Sequence, residues 1–316
     1  MERTGVTIMA HYFGRATEVI DLGAELDQAG VPEIFVTESV NEAPTTLTAL
    51  ALRTSRATIG SAIAIIFLRH PHTLATAAAT IDELAGGRLV LGIGTGHPGM
   101  IRDKFGLSLD QPLQQMREYL ACLRGGMDAS RDRNDVGGEH FQIRGSRINW
   151  AAERRIPIVL AALSDGMVRL AATEGDGIMT SLAPVEQIAR FRRLLDESAA
   201  AAGRAPAEIR LYTVVHVCLR PTRDEARAVV REGIGYSSSP FYQRELERAG
   251  YAAPGGRPDD RTIDAITIAG PEEYARERLA ELWALGAIPL LAPVGGEPDI
   301  AAAYRSFVPL IVEEGE

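Results

Sequence analysis

Residues 57–99 read ATIGSAIAIIFLRHPHTLATAAATIDELAGGRLVLGIGTGHPG, and this stretch decides the fold class. It opens with nine mostly apolar, partly β-branched residues, which is typical of a strand that is buried on both faces. Pro71 can occupy the first turn of a helix, and the paired glycines Gly86 and Gly87 end that helix. A second apolar run, RLVLGI, follows directly. The order strand, helix, strand predicts two parallel strands joined by a helical crossover.

The same alternation extends over the rest of the chain. Eight short apolar runs are separated by longer amphipathic patterns with helical spacing. The predicted strands cover residues 5–10, 33–37, 57–65, 88–93, 157–161, 177–180, 209–217 and 288–291. Regular strand–helix alternation predicts a parallel sheet, and eight units predict closure into a (β/α)8 barrel, the TIM-barrel architecture of the α/β class. An open, doubly wound sheet is the alternative.

The sequence contains no composition break that would mark a domain boundary, so we expect residues 1–316 to form a single barrel domain. Two stretches interrupt the alternation of strands and helices. Residues 125–155 follow the fourth predicted helix, and residues 237–261 follow the seventh. Both contain many Gly, Pro or charged residues, and we interpret them as irregular insertions near the active-site face.

Composition argues against several classes of function. The formal net charge of −9 argues against non-specific nucleic-acid binding, which needs a basic surface. The two cysteines, Cys122 and Cys218, are too few and too far apart to indicate a disulfide framework or a metal site. The sequence shows neither the ~18 uninterrupted apolar residues of a membrane span nor the apolar core of a signal peptide. We therefore expect a cytoplasmic protein that acts on a small molecule.

Polar side chains gather where the predicted strands end. In a (β/α)8 barrel the active site lies at the carboxyl ends of the strands. His11, Glu38, His97 and His216 lie at or near such ends. A histidine there can donate a proton, because imidazole titrates near neutrality, or it can simply be hydrogen-bonded on the rim. Glu38 can bind a ligand or cap the segment that follows it.

Two loops after predicted strands could bind a ligand through their backbone. Residues 94–99 spell GxGxxG, but they follow the fourth strand and lack the acidic partner of a dinucleotide-binding fold. We interpret them as a loop where the backbone approaches a flat ligand closely, which glycine permits, and a plain tight turn is the alternative. Residues 161–164 precede a helix whose free N–H groups suit a phosphate, although such turns are common without a ligand.

Several segments resemble the luciferase-like monooxygenase superfamily of flavin and deazaflavin oxidoreductases. The most specific segment is TAAATIDELAGGRLVLGIGTG at residues 76–96. The other matching segments are residues 68–71, 161–162 with 169–171, 175–177 and 202–206. The AAATIDEL and GTG wording is most similar to the branch that uses coenzyme F-420, which includes methylenetetrahydromethanopterin reductase.

The resemblance implies a (β/α)8 barrel, a homodimer, and a cofactor ring bound in the mouth of the barrel. It also implies a cis peptide bond between Ala62 and Ile63, placed against the ring, with Glu38 nearby. His97 takes the position of a catalytic acid in some relatives, and His11 is our second candidate for the proton donor. Further implied cofactor contacts are Gly94, Thr95 and Gly96 at the ring, and Ala161, Ala162, Leu163 and Ser164 at the phosphate.

Two positions depart from the family pattern. Many relatives carry Asp-His after the second strand, where this chain has Glu38 and Ser39, so a histidine that some members use in catalysis is missing. Leu163 and Ser164 stand where glycines are frequent in the phosphate loop. The dehydrogenase activities of the related subfamilies therefore do not transfer directly to this chain.

Three functions are compatible with these observations. The first is an F-420-dependent oxidoreductase that transfers a hydride between the deazaflavin and a small organic substrate, without a metal ion. The second is an FMN-dependent monooxygenase that uses reduced flavin and oxygen, and the third is a non-catalytic binder of flavin or deazaflavin. We expect the two insertions to form the substrate pocket, with Tyr236, Phe241 and Tyr242 as an aromatic wall or a lid.

Overall fold

The computed structural model describes residues 3–39, 41–128, 134–146, 154–234, 239–251 and 257–312. Its main feature is a closed sheet of parallel strands surrounded by helices. Within the described residues, no helix is long and apolar enough to cross a membrane. The same residues contain no group of three His, Cys, Asp or Glu side chains placed to hold a metal ion.

The barrel closes through eight strands. The strands in chain order are β1 (Gly5–Ile8), β2 (Glu33–Val36), β3 (Thr58–Ser61), β4 (Ala64–Ile65), β5 (Leu89–Gly94), β6 (Asn134–Gly137), β7 (Gln142–Ser146), β8 (Ile158–Ala161), β9 (Gly177–Ser181), β10 (Arg210–Leu219), β11 (Thr267–Gly270) and β12 (Ile288–Pro293). Parallel pairing runs β1-β2-β3-β5-β8-β9-β10-β12, and β12 pairs with β1 to close the ring. This closed sheet confirms the predicted (β/α)8 barrel and rules out the open, doubly wound alternative.

Helices surround the barrel and follow the strands in chain order. They are α1 (Ala16–Gln28), α2 (Ala43–Arg53), α3 (Pro71–Leu84), α4 (Pro98–Phe105), α5 (Pro112–Gly126), α6 (Asp165–Thr173), α7 (Val185–Ala201), α8 (Arg223–Gly233), α9 (Pro240–Arg248), α10 (Asp260–Ile266), α11 (Glu272–Ala284), α12 (Ile300–Ser306) and α13 (Val308–Ile311). α3 begins at Pro71 and ends before the paired glycines, as the sequence predicts. β11 was not predicted; it pairs with the far end of β10.

Side chains alternate between the inside of the barrel and the layer beneath the helices. The interior cluster consists of Met9, Phe35, Val90, Val159, Met179, Tyr212, Val214, Leu290 and Ala292. Gly60 of β3 makes room for this cluster, because a Cβ atom there would overlap the ring of Phe35. The interior is therefore packed, and the space for a ligand lies at the carboxyl ends of the strands.

Within the stretch 237–261, the described residues 239–251 and 257–261 include the helix α9 and the start of α10, so the expectation of an irregular segment is wrong for them. α9 begins at Pro240 and buries Tyr242 and Leu246, which lie four residues apart on one face. Asp259 caps α10 by accepting a hydrogen bond of 2.8 Å from the backbone N–H of Thr262. The sequence reasoning gave weight to the prolines and glycines of this stretch and overlooked the i, i+4 spacing of its apolar residues. Tyr236 lies outside the described residues.

The described part of residues 125–155 contains an antiparallel hairpin of β6 and β7, which packs against α5. Glu118 of α5 accepts hydrogen bonds from the backbone N–H groups of His140 (2.6 Å) and Phe141 (3.1 Å). The rings of Phe141 and Tyr119 lie 5.0 Å apart. These contacts attach the described hairpin to α5.

Candidate active site

A cavity of about 200 Å³ opens at the carboxyl ends of the barrel strands. Most of the residues that the sequence assigns to a cofactor meet in its lining. They are Glu38, Ala62, Ile63, Thr95, Gly96, Ala161, Ala162 and Leu163, and the lining also includes His97, the first candidate for the proton donor. The turns after β2, β3, β5 and β8 bring these side chains together, as the barrel architecture requires.

Three predicted residues lie outside this lining, within the part of the chain that the structure describes. Gly94 lies behind the wall, and a Cβ atom there would be 2.6 Å from Cδ1 of Ile63 and 2.9 Å from Cβ of Ala161. Ser164 faces a neighbouring groove. His11 lies in a short 3-10 turn, with its ring 4.1 Å from the ring of Tyr12.

The wall next to Gly94 is formed by the segment after β3. The peptide bond between Ala62 and Ile63 is cis, as the resemblance implies. Because Gly94 has no side chain, Ile63 can pack against β5 and still line the cavity. Gly96 adopts a left-handed backbone with φ of 69°, which glycine tolerates better than other residues. The glycines of the GxG segment thus shape the wall through their backbone.

Glu38 lines the cavity, but both oxygens of its carboxylate accept hydrogen bonds from other groups of the protein. Oε2 accepts hydrogen bonds from the backbone N–H of Ile65 (2.6 Å) and from Nη1 of Arg69 (3.1 Å). Oε1 accepts from the backbone N–H of Ala43 (3.0 Å) and from Nη2 of Arg69. The side chain of Glu38 is only 1% exposed, so this is a buried ion pair. The hydrogen bond from Ile65 to Glu38 holds the backbone of the segment that carries Ile63 and Ile65.

Arg69 completes this pair from the start of the third crossover. Its guanidinium also lies 3.1 Å from the carboxylate of Glu42, and its backbone carbonyl accepts a hydrogen bond from the hydroxyl of Tyr119. Burial alone would lower the pKa of Arg69, but its hydrogen bonds to Glu38 and the charges of Glu38 and Glu42 raise it. Arg69 therefore stays charged and neutralises Glu38.

His97 caps the N-terminus of α4 and faces the cavity. Its ring lies 5.0 Å from the ring of Tyr242 and 6.2 Å from that of Phe241. Burial lowers the pKa of His97 below its ordinary value. The imidazole is therefore mostly neutral at pH 7, with one nitrogen that donates and one that accepts a hydrogen bond.

His216 of β10 lines the deeper part of the cavity. Its Nδ1 lies 3.4 Å from the carbonyl oxygen of Pro293, which can only accept, so Nδ1 carries the proton and Nε2 is an acceptor. Burial is the main reason that the pKa of His216 falls to about 4. His216 is therefore neutral at pH 7, and its one N–H is directed at the carbonyl of Pro293. The sequence predicts that His216 lies near the end of its strand, but it does not identify His216 as a site residue.

Several buried hydroxyls of the lining have no hydrogen-bond partner among the described residues. They belong to Thr7, Ser39 and Thr180. Buried polar groups without partners are rare, and they are expected where a ligand or water completes the hydrogen bonding. Sequence reasoning did not single out Thr7 or Thr180. The period-two alternation of the first strand could have placed Thr7 inside the barrel, and Thr180 could have been found as the last residue of the sixth predicted strand.

α9 supplies the aromatic part of the lining, with Phe241 and Tyr242. Tyr242 is 8% exposed and contacts His97. By contrast, none of the described residues of the β6–β7 hairpin contributes to the lining. Of the two stretches that were expected to form the pocket, the described residues of the second contribute and those of the first do not.

A second groove adjoins the cavity and shares Leu163 with it. It has a volume of about 390 Å³ and includes Ser164 and Asp165 at the start of α6. Two arginines lie in it, each close to an acidic side chain. Arg190 is 2.6 Å from Asp165, and Arg248 is 2.6 Å from Glu245. Arg190 and Arg248 thus lie in the groove and not in the lining of the cavity.

The sequence matches the luciferase-like monooxygenase family over residues 3–287, which is most of the chain. The chain belongs to this family. Among its relatives, 5,10-methylenetetrahydromethanopterin reductase of Methanolobus tindarius is 24% identical over 87% of this chain and 90% of the relative. An F-420-dependent glucose-6-phosphate dehydrogenase of Microbacterium testaceum is 25% identical over 71% of this chain and 70% of the relative.

The fold of this luciferase-like protein is also that of a solved F-420-dependent tetrahydromethanopterin reductase from Methanopyrus kandleri. The two structures superpose with a TM-score of 0.80 over 98% of this chain and 99% of the reductase, at 20% sequence identity. This likeness shows that the two proteins share the (β/α)8-barrel fold.

Proposed function

We propose that this chain is a coenzyme F-420-dependent oxidoreductase that transfers a hydride between the deazaflavin and a small organic substrate. The proposal rests on the cavity at the barrel mouth, which combines apolar walls with buried hydroxyls that lack partners among the described residues. A flat heteroaromatic ring has apolar faces and polar edges, so it complements such a lining. Relatives whose names state dependence on F-420 support this choice of cofactor.

Different residues of the barrel mouth would bind the ring and the phosphate of this cofactor. The deazaflavin would supply the hydride chemistry when bound, and the protein supplies position and polarity. The ring would be held by Ala62, Ile63, Thr95 and Gly96. Gly94 leaves the space that the side chain of Ile63 occupies. Residues 161–164 would hold the phosphate, because they lead into the N-terminus of the nine-residue helix α6.

Proton transfer to the substrate falls to His97 in this proposal. The side chain lines the cavity at the start of α4, and an imidazole is the side chain that most often transfers a proton in enzymes. His216 has its N–H directed at Pro293 instead, and His11 lies outside the lining of the cavity as the structure describes it. Glu38 acts as a positioning residue, because its carboxylate holds the backbone of Ile65 and the guanidinium of Arg69.

Titration of the purified protein with F-420 and, separately, with FMN tests the choice of cofactor. Quenching of cofactor fluorescence gives both dissociation constants. We expect micromolar or tighter binding of F-420 and weaker binding of FMN. Tighter binding of FMN would contradict the proposal.

An FMN-dependent monooxygenase is the second candidate, and the family's description as monooxygenases favours it. It predicts oxygen consumption that depends on reduced FMN, whereas the first candidate predicts reactions that proceed in the absence of oxygen. A non-catalytic binder remains the third possibility. It predicts tight cofactor binding without turnover over a broad panel of substrates.

We also propose that the protein is a homodimer in which the outer faces of α2 and α3 meet. Two of the three exposed large apolar side chains lie on these helices, Leu52 (66% exposed) and Leu84 (42%). Between them, the partly exposed face carries Thr48, Ala49, Thr76, Ala77 and Thr80, which are uncharged. Exposed large apolar side chains with uncharged residues beside them favour a protein interface.

Sedimentation velocity tests the dimer. We expect twice the chain mass of 34.0 kDa for the native protein and the monomer mass for the double variant L52E/L84E. Leu107→Glu is the matched control, since Leu107 is also exposed (39%) but lies outside α2 and α3, and it should leave the dimer intact. A native protein that sediments as a monomer would refute the proposal.

A further inference from the structure

We propose that the substrate of this site is an uncharged molecule with an apolar body and a carbonyl or hydroxyl group at its reacting end. This inference rests on the proposed function, because it describes the second molecule that the cavity would bind beside the cofactor. It excludes phosphorylated and carboxylated compounds as preferred substrates.

The first line of support is the charge of the lining. Among the described residues that line the cavity, Glu38 is the one acidic side chain, and there is no lysine or arginine. Arg69 neutralises Glu38 from behind the wall. Lys104 is exposed to solvent and donates a hydrogen bond of 2.6 Å to the backbone carbonyl of Ser39. The cavity therefore presents no fixed cation to an anionic substrate.

The histidines do not supply the missing charge. Burial lowers the pKa values of His97 and His216, so both are neutral at pH 7. The N-terminus of α4 approaches the cavity at His97 and Met100, but a helix dipole is equivalent to only about half a unit charge. An anion enclosed without a paired cation is strongly disfavoured in such surroundings.

The second line of support is the composition of the walls. Met9, Met100, Met179, Val214, Phe241 and Tyr242 give the lining a large apolar surface. Residues 235–238 and 252–256, which flank α9 in the sequence, contain neither lysine nor arginine. Arg190 and Arg248 lie in the separate groove beyond Leu163, outside the lining of the cavity. The buried hydroxyls of Thr7, Ser39 and Thr180 remain as partners for one polar group of a substrate.

A matched pair of compounds tests this inference by binding, independently of turnover. Methyl levulinate and levulinate differ only in whether the carboxylate is esterified. Saturation-transfer NMR, recorded with the protein before and after addition of F-420, reports which compound contacts the protein. We expect contact from the ester and at least tenfold weaker binding of the carboxylate. No contact from the ester, or equal contact from both, overturns the inference.

A variant with an added charge tests whether the preference for the ester over the carboxylate arises in the cavity. Met100→Lys should raise the affinity for levulinate at least tenfold, because it introduces a cation into the lining, whereas Met100→Gln changes the polarity without the charge and should not. If both variants leave the ratio of the two affinities unchanged, the selectivity does not arise in this cavity and the inference is wrong.

Turnover gives an independent comparison when F-420 binds. Reduced F-420 is offered with neutral ketones and enones, oxidised F-420 is offered with neutral alcohols and with a sugar phosphate, and kcat/KM is measured for each. We expect the neutral compounds to be preferred. Failure of F-420 to bind contradicts the proposed function alone, because the NMR comparison still tests the inference. Binding of F-420 with preference for the sugar phosphate contradicts the inference alone.

Discussion

His97 is the side chain on which the proposed chemistry depends most directly. Replacing it in His97→Gln keeps a polar side chain but removes the imidazole that would transfer a proton. We expect kcat to fall by a factor on the order of 10²–10³, as is typical for loss of a general acid, with nearly unchanged affinity for F-420. Steady-state kinetics and fluorescence titration measure the two effects. Unchanged turnover removes His97 from the mechanism, and a loss with His11→Gln instead would transfer the role to His11.

The buried pair of Glu38 and Arg69 leads to a prediction on stability. Arg69→Met leaves the carboxylate of Glu38 buried without its cation and is expected to cost about 3–5 kcal/mol of unfolding free energy. In the double variant E38Q/R69M no unpaired charge remains, so the cost should be smaller than the sum of the single variants. Urea denaturation of the four proteins yields this coupling. Additive effects would show that the two side chains act independently.

Residue-level prediction from the sequence succeeded where position along a strand determines location. Glu38, His97 and Leu163 follow strand ends, and barrel geometry brings such residues to one mouth. It could not show that the carboxylate of Glu38 is occupied by Arg69, thirty-one positions away, because no local pattern encodes that contact. Nor could it distinguish Gly94, which supports Ile63, from Gly96 in the lining.

At the scale of elements, the β6–β7 hairpin depends on one carboxylate. Burial opposes ionisation of Glu118, but hydrogen bonds from Gln114 and from the backbone of His140 and Phe141 outweigh it and lower its pKa to about 2. Glu118→Gln should weaken the attachment of the hairpin, because hydrogen bonds to a charged group contribute about 1.5–3 kcal/mol. Hydrogen exchange of the amides of His140 and Phe141 should become faster.

The pH dependence of this effect has a definite sign. The carboxyl has an ordinary pKa of 4.5 and a lowered value in the folded protein, so its stabilising contribution is complete above pH 4.5. It is lost as the pH falls from 4.5 towards 2. The difference in exchange between the native protein and Glu118→Gln should therefore disappear over that range. A difference that persists at pH 2 would contradict this account.

Elements were predictable where two signals agreed. α3 has Pro71 at its start, paired glycines after its end and apolar spacing between them, and its observed bounds match the prediction. In α9 the signals disagreed, because the nearby prolines and glycines indicate a loop while Tyr242 and Leu246 indicate a helix. β11 has only four residues, and its pairing with β10 is a contact between distant parts of the chain.

For the molecule as a whole, His216 gives stability a dependence on mildly acidic pH. The ordinary pKa is 6.5, and burial is the main cause of its fall to about 4 in the folded protein. The unfolded chain therefore binds a proton first, and stability is lost as the pH falls from 6.5 to 4, by at most about 1.4 kcal/mol per pH unit for one group. The pKa values of His97 and His11 are also lowered by burial, and these residues contribute with the same sign.

Urea denaturation at several pH values measures this dependence. His216→Gln should reduce the slope between pH 6.5 and 4 without abolishing it, because His97 and His11 remain. An identical slope in the native protein and in His216→Gln would show that His216 is not the titrating group.

The architecture was the most predictable level of all. Eight alternating units determine a closed parallel sheet almost regardless of which apolar residue occupies each position, so the fold class and the location of the mouth follow from pattern alone. The contents of the mouth do not follow, because they include Phe241 and Tyr242 from an element outside that alternation. The substrate pocket was therefore the least predictable part.

The origin of those two aromatic residues has a consequence for the history of the protein. α9 belongs to none of the strand pairs that close the barrel, and it faces the mouth through Phe241 and Tyr242. Substitutions at these two positions can alter which molecules enter the cavity, while the hydrogen bonds between the strands of the closed sheet are kept. Evolvability is thereby concentrated in α9. Divergence of substrate range among close homologues should appear there earlier than in the strands.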